Sequence, residues 1–144
     1  AMILVVLVAL SGVAVAGLDT YDSITVKTLA APVTVTGSQS NAVVDVAGAK
    51  GTCNLLFDIG PAVTNAANFT CTATLKTCAT SAGTYYTVTN MTGNACALTS
   101  TNHSGTGSAT SIKVEAAVLK RYVKLYYTAA NDTCVVAGKL LYMK

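Results

Sequence analysis

The sequence predicts an all-β protein: a two-sheet antiparallel sandwich of jelly-roll type with an apolar N-terminal arm. Three observations carry this. Apolar and polar residues alternate over many short segments, the signature of strands with one buried face. Turn-forming residues separate those segments. Beyond the first stretch of chain, no long amphipathic helix and no heptad repeat is visible. Roughly nine strands in one unit of this size favour two packed sheets.

The strands are expected, in order, at 24–29, 33–36, 42–46 and 52–59, then 69–77, 84–89 and 95–99, and finally 111–118, 121–128 and 133–142. Gly37-Ser38, Gly48, Gly60-Pro61, Ala82-Gly83, Gly93-Asn94 and the polar loop 104–108 supply the turns. A period of two assigns the faces. Cys53, Leu55, Phe57 and Ile59 share a core face, as do Phe69, Cys71, Ala73 and Leu75. In 121–128, Val123, Leu125 and Tyr127 oppose Tyr122, Lys124 and Tyr126.

Residues 1–18 (AMILVVLVALSGVAVAGL) form a nearly unbroken apolar run ahead of a 19–144 domain. A secretory signal requires a basic flank, and no Lys or Arg precedes Lys27. A spanning helix needs about 20 apolar residues, whereas this run is marginal in length, is interrupted by Ser11-Gly12, and is rich in β-branched valine. A helix buried in a filament core is a further reading. The preferred one is an extended arm that docks into neighbouring subunits through Ile3, Leu4, Val5, Val6, Leu7, Val8, Leu10, Val13 and Val15. Each large aliphatic side chain gains about 1.5–3 kcal/mol on full burial, so such a run requires a partner surface. Strand addition satisfies its backbone at the same time.

Composition narrows the function. Only 10% of residues are charged against 52% hydrophobic, and threonine, serine, asparagine and glycine supply the polarity. The sole histidine, His103, lies in a polar loop, and no serine sits in a nucleophile elbow. Gly105-Thr106-Gly107 lacks the lysine and the strand–turn–helix setting of a phosphate cradle. Six acidic residues leave little material for paired acid–base chemistry. The expectation is a protein with no enzymatic activity, no cofactor, no metal and no small-molecule substrate. The single arginine argues against specific nucleic-acid reading.

Five cysteines occur without a C-x-x-C pair, and Cys78 with Cys96 is the candidate disulfide. Five reduced, buried thiols would serve equally well as small hydrophobes. Candidate glycosylation sequons stand at Asn68, Asn90, Asn102 and Asn131. Tyr122, Lys124 and Tyr126 are the candidate interface residues, since tyrosine buries area while keeping a polar tip.

From Asn41 to Lys144 the chain resembles small tailed-phage virion proteins of β-sandwich type. The resemblance rests on AVVDVAGAKGTCNLLFDIG, on TSAGTYYTVTN, and on SIKVEAAVLKRYVKLYYTA before a final hydrophobic strand, with Lys120-Arg121-Tyr122 opening the penultimate strand. It implies a capsid decoration, cement or head–tail accessory protein located in the virion. Its partners would be copies of itself and a shell subunit, with no membrane in the assembled state. The cysteine count and the apolar run depart from the usual pattern. The alternative is a subunit of an extracellular, glycosylated, pilus-like filament.

Overall fold

The computed structural model describes residues 24–144, so the expected arm at 1–18 lies outside the described residues. The protein is all-β. Its strands are β1 (Ile24–Ser40), β2 (Val44–Asp45), β3 (Lys50–Ile59), β4 (Thr70–Cys78), β5 (Tyr86–Thr87), β6 (Ala97–Ser100), β7 (Ser108–Glu115) and β8 (Tyr122–Met143), with a 3-10 turn at Ala116–Val118. All eight belong to one sheet, and every pairing between them is antiparallel.

The 22-residue strand β8 organises this sheet. Along one edge it pairs with β1 and then β2, from Ile24 opposite Met143 to Asp45 opposite Tyr122. Along the other edge its first half pairs with β4, from Cys78 opposite Tyr122 to Thr70 opposite Ala130. Its second half pairs with β3, from Ile59 opposite Val136 to Asn54 opposite Leu141. Beyond these, β7 flanks β3, while β6 and β5 flank β4. Two wings therefore share the β1–β8 pair, and the sheet curls where that pair bends.

The bend is a large bulge. Val35 faces Cys134 and Gly37 faces Ala129, so the single residue Thr36 spans Ala130 through Thr133. An extra stretch on one strand kinks it and increases its twist. Asn131 takes a left-handed φ of 68° there, and Gly37 takes 63° on β1. The β3–β4 connection clasps the bend. Val63 donates its amide to the Thr133 carbonyl at 2.9 Å. The Asp132 carboxylate accepts from Thr64 N–H at 2.9 Å, Thr64 Oγ1 at 2.7 Å and Ala66 N–H at 3.2 Å. These bonds hold the carboxyl below its ordinary range.

The inner face of the curl holds one core, formed by Cys53, Leu55, Phe57 and Ile59 of β3, Cys71, Ala73 and Leu75 of β4, and alternate residues along β8. The two halves of β8 face each other across it. A Cβ built on Gly138 would meet Leu125 Cδ1 at 2.4 Å, so the missing side chain is the space that Leu125 fills. A second close approach sits at the mouth of the 101–107 loop, where a Cβ on Gly107 would stand 2.2 Å from the Ile59 carbonyl oxygen.

The expected face assignments hold: β3 alternates from Cys53 onward, β4 up to Thr77, and β8 on either side of its bulge. Strand boundaries differ where turns were expected. Segments 24–29 and 33–36 are one strand running through Pro32 and Gly37, and 121–128 and 133–142 are the single strand β8. Asn131-Asp132 bends the chain without reversing it, because β1 pairs on both sides of the bulge and keeps the direction. The architecture is a curled antiparallel sheet.

Candidate assembly surfaces

Two outward faces are built by this curl. The first belongs to the β1–β8–β3 wing. Ile24 opposes Met143, Val26 opposes Leu141, and Thr28 opposes Lys139, all on the outer side. Ile24 is 62% exposed, Val26 54% and Met143 45%, which makes a contiguous apolar strip at the start of β1. Among the described residues β1 pairs with β8 alone, so its other edge offers unpaired backbone N–H and C=O groups. Pro32 and the register shifts after Thr28 interrupt that edge, leaving 24–28 as its regular stretch. The opposite edge of the wing, β7, is blunted by Lys113 and Glu115.

The second face lies on β4 and the first half of β8. Tyr122, Lys124 and Tyr126 are half-buried on its outer side, in the alternation expected of them. The register supplies their neighbours: Thr74 opposes Tyr126, Lys76 opposes Lys124, and Cys78 opposes Tyr122. The Lys76 ammonium stands 4.3 Å from the centre of the Tyr126 ring, and Lys124 stands 4.3 Å from that of Tyr85. Arg121 lies 5.2 Å from the Tyr122 ring and forms an ion pair with Asp45 at 3.0 Å. Hydrogen bonds from Ala47 N–H and from Arg121 hold the Asp45 carboxyl below its usual value. Thr77 pins the start of β8, donating to the Tyr122 carbonyl at 3.0 Å and accepting from Lys120 N–H at 2.7 Å. Lys76, Tyr85 and Asp45 were invisible to a reading of β8 alone, because only cross-strand register brings them to it.

The cysteines are all buried free thiols. Cys78 and Cys96 are not brought together as a pair. Cys78 follows the inward-facing Thr77 and lies beneath the 79–85 loop, where a Cβ on Gly83 would meet its sulfur at 2.6 Å, whereas Cys96 is part of the core. The thiols that influence one another are those of Cys71 and Cys134, which lie on either side of the bend. Burial pushes the Cys71 thiol up to about 12 and Cys96 up to about 11, and it also raises Cys53 and Cys134. These thiols stay protonated and pack as small apolar groups.

Of the sequons, Asn68, Asn102 and Asn131 are exposed and Asn90 is half-buried. Two of the side-chain amides already have partners. Asn131 Nδ2 donates to the Asn68 carbonyl at 2.8 Å, and Asn102 Nδ2 donates to Thr106 O at 3.2 Å and Ser108 Oγ at 3.1 Å. Asn90 uses its Oδ1 to cap the 90–94 turn through Thr92 and Asn94 N–H. His103 stands on the exposed 101–107 loop. No protein-family model, no curated protein and no solved structure matches the chain.

Proposed function

We propose that this protein is a non-enzymatic structural subunit that decorates or cements a viral shell, with residues 1–18 docking into neighbouring subunits. The observation that supports this best is the edge of β1 left unpaired among the described residues, beside the strip of exposed Ile24, Val26 and Met143 and half-buried Leu141. An apolar arm and an apolar strand edge answer one another: strand addition buries both and satisfies both backbones. The β3 and β4 wings are read as the two sheets of a sandwich folded at the β1–β8 bend. In this reading the arm adds buried apolar area and raises the effective concentration of each contact, so the shell resists expansion by mass action. The virion setting rests on the resemblance of residues 41–144 to phage virion proteins.

Removing residues 1–18 tests the reading. The truncated chain is expected to keep the β-rich circular dichroism of the full chain while losing assembly in sedimentation velocity and negative-stain microscopy. A full-length Val26→Lys chain is expected to assemble poorly too, because the charge lands on the acceptor strip. Assembly that persists in both variants refutes the arm-and-edge reading. Filaments in the micrographs, together with glycans by intact mass, would transfer the arm to the extracellular-filament alternative.

A further inference from the structure

The outward face of β4 and β8 carries an arrangement that the arm does not use. Lys76 and Lys124 are directly opposed in register on adjacent strands, where like charges destabilise a sheet. Neither ammonium forms an ion pair among the described residues. The described carboxylates are placed elsewhere: Asp45 is held by Arg121, Asp132 by the 60–69 loop, Glu115 accepts from Thr52 on the other wing, and Asp58 lies on β3 opposite Ala109. Tyrosine rings frame both lysines. Tyr126 lies under Lys76 and Tyr85 lies under Lys124. The rings orient the ammoniums without neutralising them.

We propose that this lysine–tyrosine face docks an acidic protein surface, whose carboxylates complete the pairs that the sheet leaves open. The inference deepens the assembly reading by naming the chemistry of the partner, and it uses a face distinct from the arm's acceptor edge. A protein fits better than a nucleic acid for two reasons. The only arginine is committed to Asp45, so no free guanidinium fork is present for phosphate. The face offers one opposed lysine pair rather than a run of basic residues that could follow a phosphate backbone. The half-buried tyrosines beside the lysines are of a residue type enriched at protein interfaces.

The test uses the full-length chain, and fluorescence anisotropy with a labelled oligo-glutamate peptide reads binding. Parallel arms use an oligo-lysine peptide and a single-stranded oligothymidine. Salt-sensitive binding of oligo-glutamate alone is expected, weakened about tenfold for each interfacial pair lost. Lys76→Glu separates binding from folding. It gives Lys124 a cross-strand carboxylate, so the urea midpoint is expected to hold or rise while oligo-glutamate binding falls. Lys113→Gln, on the other wing, should leave binding unchanged. The proposal is overturned by absent oligo-glutamate binding, by binding that Lys76→Glu does not weaken, or by oligothymidine binding more tightly with the same lysine dependence. Failure here alongside arm-dependent assembly would remove this face and leave the arm reading standing.

Discussion

Gly138 offers the sharpest test of the curl, because its nearest neighbour is Leu125 of the same strand, brought round by the bend. A Cβ on Gly138 would stand 2.4 Å from Leu125 Cδ1, with the Leu56 carbonyl oxygen the next closest atom at 3.6 Å. Carbon atoms in contact prefer about 3.5–4.0 Å, so Gly138→Ala forces a displacement of more than an ångström. Leu125 is fully buried and cannot swing out to solvent. Overpacking of this kind costs about 1–3 kcal/mol. Leu125→Ala alone removes the clashing group and leaves a cavity, at about 2–5 kcal/mol. The double variant puts a methyl where the leucine was, so its loss should fall short of the sum of the singles by about 1 kcal/mol or more. Urea unfolding followed by circular dichroism gives all four corners of the cycle. If Gly138→Ala is neutral, or if the losses add, the two halves of β8 do not face each other and the described packing is wrong.

Two further outcomes follow from buried and hydrogen-bonded groups. Among the described residues the buried Tyr142 hydroxyl has no hydrogen-bond partner, and an unsatisfied buried hydroxyl costs about 1–3 kcal/mol; Tyr142→Phe should therefore raise the urea midpoint, and a clear fall would mean that a partner exists. Asp132 has its pKa depressed, chiefly by its hydrogen bond from Thr64. Its contribution to stability is present above the unfolded carboxyl value and is lost as pH falls through the lower folded one. Acid titration should accordingly show Asp132→Asn less stable than the parent at neutral pH, with the gap closing below about pH 4. A gap that does not depend on pH would remove the carboxylate from the clasp.

The amino-acid sequence by itself determined the alternation. From Cys53 through Ile59 and from Phe69 through Leu75, side chains of opposite polarity assign each residue to a face, because a strand has only two faces. It also determined which outer residues of β8 were worth watching, and the structure keeps Tyr122, Lys124 and Tyr126 on that side. It did not determine where strands end. Gly37 and Asn131-Asp132 carry turn chemistry, yet both lie inside strands, since a left-handed residue serves a bulge as well as a reversal. Only pairing to β1 on both sides of the bulge decides between the two. Cysteine partnership was equally out of reach: positions near loop ends favoured Cys78 with Cys96, while all five thiols are free and buried and the bend brings Cys71 and Cys134 to act on one another from strands far apart in the chain. The lysine pair is likewise a product of register, with Lys76 and Lys124 meeting only when β4 is set against β8. Local pattern records what each residue prefers to face. Which residue it faces is fixed by long-range strand pairing, and that was settled only when the sheet closed on its core.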